Sequence, residues 1–161
     1  MIVMGITQGM QPIAGYNFGA QQFDRVTRVL KLSIYGATAM TTLTFLVGEL
    51  LPDVAVRLFT TDEGLISRAA EGFRIVVLFF PIVGFQMVTS NFFQSIGMAN
   101  KAIFLSLTRQ LLFLLPCLII LPTFMGAAGI WWSMPISDLT ASLVAGVLLY
   151  KQFQNFKYHK S

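Results

Sequence analysis

Histidine and cysteine occur once each in this 161-residue chain, and aspartate and glutamate together number 7. The histidine, His159, lies in the terminal tail, so no His-based triad or metal cluster can form in the body of the chain. Cys117 sits in a Leu/Ile/Pro run, a setting for inert packing rather than a reactive thiol. No glycine-rich loop followed by Lys and Ser or Thr is present to cradle a phosphate. No catalytic residue and no metal ligand is therefore assigned, and the chain is not read as an enzyme. Met1 is followed by neither a basic region nor a cleavage site, which argues against a signal peptide. Charge is scarce as well, at 11% of residues, where soluble domains carry about 25%.

Apolar length takes the place of charge. Hydrophobic residues make up 55% of the chain, and the mean hydropathy is +0.71. The 15 phenylalanines could fill a soluble core only under far more polar surface than the chain has. Residues 30–51, 75–96, 102–125 and 129–150 each reach the roughly 20 mostly apolar residues of a spanning helix. A fifth stretch, 2–18, is at the short end. None alternates as a barrel strand would. The expected fold class is an all-α membrane protein, a polytopic bundle of five transmembrane helices. Residues 54–74 mix Leu58, Phe59 and Leu65 with Arg57, Asp62 and Glu63, a pattern for an interfacial helix–turn–helix rather than a sixth crossing. Residues 152–161 read as a polar, basic tail at a frayed helix end.

Loop charges orient the chain. Arg25, Arg28, Lys31, Lys101, Lys151, Lys157 and Lys160 fall on one side. Arg57, Arg68 and Arg74 fall on the other, beside Asp53, Asp62, Glu63 and Glu71. Lys and Arg bias marks the cytoplasmic face, so the tail is expected inside and the first helix is expected to start outside. The net charge of +4 is mostly this topological signal and calls for no nucleic acid. A short first helix without a flank is what a cut after an upstream helix would leave. The chain is therefore expected to be the C-terminal piece of a larger membrane protein.

Inside the spans, proline and polar side chains carry the remaining information. Pro12, Pro81, Pro116 and Pro135 each fall within a predicted span. Each removes an amide donor and frees the carbonyl four residues earlier, those of Gln8, Val77, Leu112 and Trp131. Such breaks persist where neighbouring helices, side chains or water satisfy the freed groups; they either shape packing or mark a moving, cavity-lined bundle. Gln86, Ser90 and Gln94 are spaced by four, with Thr89 and Gly97 alongside, and form one hydrophilic stripe. Gln8, Gln11 and Gly15 share a face of the first span. The pairs Gly5/Gly9 and Gly15/Gly19 offer close helix approach. Gln8, Gln11, Gln86, Ser90 and Gln94 are the candidate cavity residues; interhelical hydrogen bonding is the alternative for each.

Two charges lie deeper. Asp138 falls near mid-bilayer, where a carboxylate costs about 3 kcal/mol on insertion scales. Arg109 is roughly 10 Å from the cytoplasmic end of its span at 1.5 Å per residue. It can snorkel inward or reach Asp138 if the two helices pack. Asp138 is a functional candidate by its position, with an ion-pair or capping role at the Pro135 break as the alternative. Glu49, near the outer end of its span, reads as interfacial.

These residues resemble a known family. The run Gln8-Gly9-Met10-Gln11-Pro12-Ile13-Ala14-Gly15-Tyr16-Asn17-Phe18-Gly19-Ala20, followed by Arg25 and Arg28, is similar to the eighth-helix signature of MATE multidrug and toxin extrusion transporters. The segment from Phe93 to Ala102 resembles the end of the tenth helix, Arg109 to Pro116 the eleventh, and Gly129 to Asp138 the twelfth. The flavour is that of the DinF-like and MepA-like branch. The resemblance implies a fold of twelve helices in two six-helix lobes, with this chain supplying helices eight to twelve of the C-terminal lobe.

It also implies a bacterial cytoplasmic (inner) membrane protein that exports small cationic, amphipathic organic substrates by alternating access, driven by inward Na⁺ or H⁺. In many members carboxylates of the first helix, or of the seventh and tenth, bind the cation. The first and seventh are outside this chain. Residues 81–96 carry Gln86, Thr89, Ser90, Asn91 and Gln94 but no acid. The coupling ion is thus expected in the N-terminal lobe; no cofactor is expected, and the partners are the lipid bilayer and helices one to seven. Two alternatives stand beside this. One is a lipid-linked oligosaccharide flippase of the same superfamily, disfavoured by the lack of deep basic residues other than Arg109. The other is a truncated fragment or accessory membrane subunit that transports nothing.

Overall fold

The computed structural model describes residues 1–158, with side chains through Phe156. His159, Lys160, Ser161 and the side chain of Lys157, invoked above for the tail, lie outside that range. The helices are α1 (Ile2–Gly19), α2 (Phe23–Leu50), α3 (Pro52–Arg57), α4 (Glu63–Val77), α5 (Phe80–Ser95), α6 (Ala99–Leu107), a π-helical segment (Thr108–Leu114), α7 (Leu115–Met125) and α8 (Ala127–Tyr158). No strand occurs among the described residues.

Phe23–Leu50, Ala99–Met125 and Ala127–Phe156 are each long and apolar enough to cross a membrane. The pair α4–α5, bent by 49° at a short break, makes a fourth crossing when taken as one. α1 completes the bundle but stands outside that set. Its 18 residues span only about 27 Å at 1.5 Å per residue, and Gln8, Gln11 and Asn17 dilute its apolar character.

Three expectations need correction. The predicted span 75–96 is not one helix: residues 75–77 end α4, and α5 starts at Phe80. Pro81 lies in the first turn of α5, where its missing amide costs nothing. It starts a helix rather than breaking one. Pro116, directly after the π segment, lies inside the continuous Ala99–Met125 span, and Pro12 and Pro135 lie inside helices. Pro122, not singled out from sequence, lies inside α7. Lastly, α8 runs through the predicted tail to Tyr158, because Phe156 packs against Phe18 and Phe23, with Phe153 edge-on to Phe156, and holds it in helix.

α1 packs across α2 and α5, and α8 packs on α4, α5 and the α6–α7 rod. The core they enclose includes Met10, Ala14, Leu30, Val88, Phe92 and Leu105. No residue of α7 is fully buried; Leu115, Ile119 and Ile120 are exposed on its outer side. Gly97 (φ +76) and Gly126 (φ +59) turn the chain between α5 and α6 and between α7 and α8, in a region that only glycine enters freely. Of the four glycines expected to draw helices together, Gly15 alone does so: a Cβ there would lie 2.9 Å from the Ser95 carbonyl oxygen. Gly5, Gly9 and Gly19 have nothing within 4 Å, because the face of α1 that carries them points away from α2 and α5.

The α3–α4 hairpin is pinned electrostatically. Arg57 meets Glu63 at 3.1 Å on the surface. The Asp62 carboxylate caps α4, accepting from the amides of Gly64 (2.9 Å) and Leu65 (3.3 Å). Asp62→Ala is expected to cost about 1 kcal/mol locally, seen as faster hydrogen exchange at the first amides of α4 with the rest of the bundle unchanged.

Candidate functional site

An ion pair joins the last two crossings. Arg109 Nε donates to Asp138 Oδ1 at 2.7 Å. The Asp138 side chain is 8% exposed and that of Arg109 is 34% exposed. Local sequence sets up both partners. Arg109 is the second residue of the π segment, where the amide of Leu115 donates to the Gln110 carbonyl, five residues back. Widened turns of this kind accommodate a following proline that cannot donate, and they recur at functional sites. Asp138 lies three residues beyond Pro135, on a face of α8 where Ser133, Ser137, Ala141, Ser142 and Ala145 are also buried. Small side chains there let the α6–α7 rod approach closely enough for the guanidinium to reach. Beside the pair in sequence, Thr108 Oγ1 and Ser142 Oγ are buried without a protein hydrogen-bond partner.

A second polar contact ties α1 to α5. Gln11 Nε2 donates to Asn91 Oδ1 at 3.2 Å, while Asn91 Nδ2 donates to the Met87 carbonyl at 2.9 Å. Ser90 links α5 to α6, 3.3 Å from Ser106 Oγ and 3.4 Å from the Ala102 carbonyl. Ser90 and Gln94 line an open groove of about 310 Å³ with Ala99, Ile103 and Ser106.

Of the five candidate cavity residues, Ser90 and Gln94 line this groove. Gln8, Gln11 and Gln86 are absent from the wall of the Ser90–Gln94 groove. Gln86 is buried, Ser90 half-buried and Gln94 exposed, so the stripe read from their spacing passes from core to surface along α5. Gln11 and Ser90 bond between helices. Gln8 is exposed on the same side of α1 as Gly5, Gly9 and Pro12.

One contact escaped the sequence reading. Lys101 Nζ donates to Gln152 Oε1 at 2.8 Å and lies 5.3 Å from the centre of the Phe93 ring. Its signal was available: Gln152 follows Ala141, Ala145 and Leu149 at helical spacing on the buried face of α8, which a free tail would not continue. Among the described residues no group of His, Cys, Asp or Glu is arranged to hold a metal ion.

Comparison with known proteins agrees with this architecture. Residues 1–120 match the model of the MatE family. The multidrug export protein MepA of Staphylococcus aureus (strain N315) is 23% identical over 150 residues, covering 93% of this chain and 33% of that protein. The MepA of Staphylococcus haemolyticus (strain JCSC1435) is 21% identical over the same shares. The structure of the MATE multidrug transporter DinF-BH superposes with a TM-score of 0.87 at 38% identity, over 92% of this chain and 33% of that one. An inward-facing MATE family transporter of the MOP superfamily superposes at 0.89 over 99% of this chain and 37% of that one; at 20% identity it speaks to the fold alone. The chain spans about a third of the length of the relatives it matches. On the family match, the shared fold and the residues that carry both, the chain belongs to the MatE family, alongside its MepA-like and DinF-like members.

Proposed function

We propose that the chain works as the C-terminal lobe of a cation-coupled exporter of cationic, amphipathic compounds, inactive without a companion N-terminal lobe. The observation that carries this reading is the unpartnered face of α1. Gly5, Gly9 and Gln8 lie exposed there, the two glycines with nothing within 4 Å. A glutamine facing hydrocarbon is penalised, and small residues invite another helix. A second lobe set across a polar cleft satisfies both demands. Alternating access then consists of the two lobes rocking about that cleft, with substrate and ion each biasing the equilibrium through different affinities for its two states. The MepA relatives are named for multidrug export, and that activity comes to this chain through the family. The coupling ion, Na⁺ or H⁺, is assigned to the companion lobe. The membrane is taken to be the bacterial cytoplasmic one, with the C-terminus inside, on the Lys/Arg bias of the loops.

A flippase for pyrophosphate-linked lipids gains no support, because the deep cation Arg109 is already neutralised by Asp138. The test is complementation in a drug-sensitive, pump-deleted strain. The chain alone is expected to leave minimum inhibitory concentrations of cationic dyes unchanged, and co-expression with the N-terminal lobe of a DinF-like transporter is expected to raise them. Protection by the chain alone would overturn the half-transporter reading.

A further inference from the structure

An open groove of about 450 Å³ lies between the first turns of α2 and the last turns of α8. Phe23, Thr27 and Lys31 line it from α2, and Tyr150, Phe153 and Phe156 from α8. The spacing of four from Phe23 to Lys31 puts those three on one helical face. The floor is aromatic: Phe23 and Phe156 stack at 5.0 Å with 21° between their planes, and Phe153 meets Phe156 edge-on at 6.3 Å. Gln154 Nε2, also in the lining, donates to the Tyr150 hydroxyl at 3.0 Å.

Around this apolar trough the charge is positive. Lys31 is in the wall, Arg28 is its neighbour three residues back on the helix surface, and Lys151 follows Tyr150; all three are exposed. Among the described residues none of the three is in an ion pair. Asp24, the acid in the lining, has an interaction partner of its own. Two like charges side by side on a helix repel each other, a repulsion that a bound anion would relieve. The apolar floor adds a second requirement, because free phosphate would leave it bare. A cationic export substrate would be repelled by the same three side chains.

We propose that this groove binds an anionic phospholipid, with acyl chain on the aromatic floor and phosphate between Arg28, Lys31 and Lys151. Lysine stems are able to lie along an apolar surface and carry their ammonium groups out to headgroup level. Basic pockets between helices at the cytoplasmic surface are suited to anionic headgroups. The site is independent of the export function proposed above.

The test is lipid retention. The chain is placed in nanodiscs of equimolar phosphatidylglycerol and phosphatidylcholine and released into a mass spectrometer, where the lipids that remain bound are counted. Phosphatidylglycerol is expected to predominate, and each basic residue removed should lower the preference about fivefold, in Lys31→Gln and again in Lys31→Gln with Lys151→Gln. Thr27→Trp, which fills the trough and keeps the charges, should reduce retention of both lipids. Arg68→Gln, in α4 and away from the groove, should leave the ratio as it was, and circular dichroism should show equal helix content in all variants. Equal retention of the two lipids by the unaltered chain would overturn the proposal. So would a preference that survives the double variant, or an equal loss in Arg68→Gln. Displacement of the bound lipid by excess inorganic phosphate would make this a free-anion site and overturn the lipid assignment.

Discussion

Arg109→Leu is expected to destabilise the bundle more than Asp138→Asn, although the two changes break the same contact. The Asp138 side chain is 8% exposed and has a short stem, whereas Arg109 is 34% exposed on a long one. Without Arg109, the carboxylate stays buried and uncompensated, and breaking a buried pair in this way costs about 3–5 kcal/mol. Without Asp138, the guanidinium can swing along its stem toward the headgroups, so the loss is closer to the ~1.5–3 kcal/mol of one charged hydrogen bond. Asparagine keeps the shape and adds no charge. Restoring neutrality with Arg109→Leu/Asp138→Asn should recover most of the stability lost in Arg109→Leu. The measurement is the thermal midpoint of each variant in mild detergent, paired with membrane abundance. Equal losses in both single variants would show that the arginine does not reorient. In a two-lobed transporter, Asp138→Asn is expected to reduce efflux with abundance maintained; efflux and abundance falling together would make the pair purely structural.

That pair marks how far the sequence could be followed. Both charges stood out because hydrocarbon penalises them, and their meeting was foreseeable once the fourth and fifth predicted spans were taken to pack as neighbours. The π segment that presents Arg109 was not foreseeable. Hydropathy registers that residues 102–125 are apolar, but it carries no information about which carbonyl each amide selects. Pro116 pointed to a disturbance at the right place, yet a broken helix and a widened one begin with the same missing donor.

The glycines fail for a related reason. Gly5, Gly9, Gly15 and Gly19 are alike in sequence, and only the position of α5 decides that Gly15 meets the Ser95 carbonyl while the others meet nothing. Gln86, Ser90 and Gln94 were placed on one face of a helix, but a spacing of four drifts about 40° per step around a helix of 3.6 residues per turn, so one stripe samples three environments while Phe92 and Phe93 beside it stay buried. The end of α8 was misread by composition. Gln152 looks like tail, whereas Phe156, stacked on Phe23 and packed on Phe18, holds that end of α8 in the bundle. Polarity counted residue by residue misses such an end, because a helix leaving the membrane keeps its apolar side packed and turns its charges to water.

Gly129→Ala is expected to be the most damaging single-methyl change in the chain. A Cβ at Gly129 would sit 2.5 Å from the Leu121 carbonyl oxygen and 2.6 Å from the Pro122 nitrogen, and closer still to the Leu121 carbonyl carbon. These are backbone atoms of a helix, so no rotamer change relieves the clash and α7 and α8 must move apart. Overpacking of this kind costs about 1–3 kcal/mol or more. The consequence reaches the ion pair, because the α7–α8 hairpin also holds the π segment against α8. Residues opposed across the hairpin cannot be spread at Gly129 without loosening the approach of Arg109 to Asp138, whose 2.7 Å contact leaves little slack. Gly146→Ala supplies the control. It lies in the same helix with nothing within 4 Å, so there the added methyl should stabilise by about 0.5–1 kcal/mol through helix propensity alone. Thermal midpoints moving in opposite directions for these two Gly→Ala variants would establish that close approach is what α8 requires at its start. A Gly129→Ala protein as stable as the parent would mean the hairpin opens without cost, and that the ion pair is held from the α6 side instead.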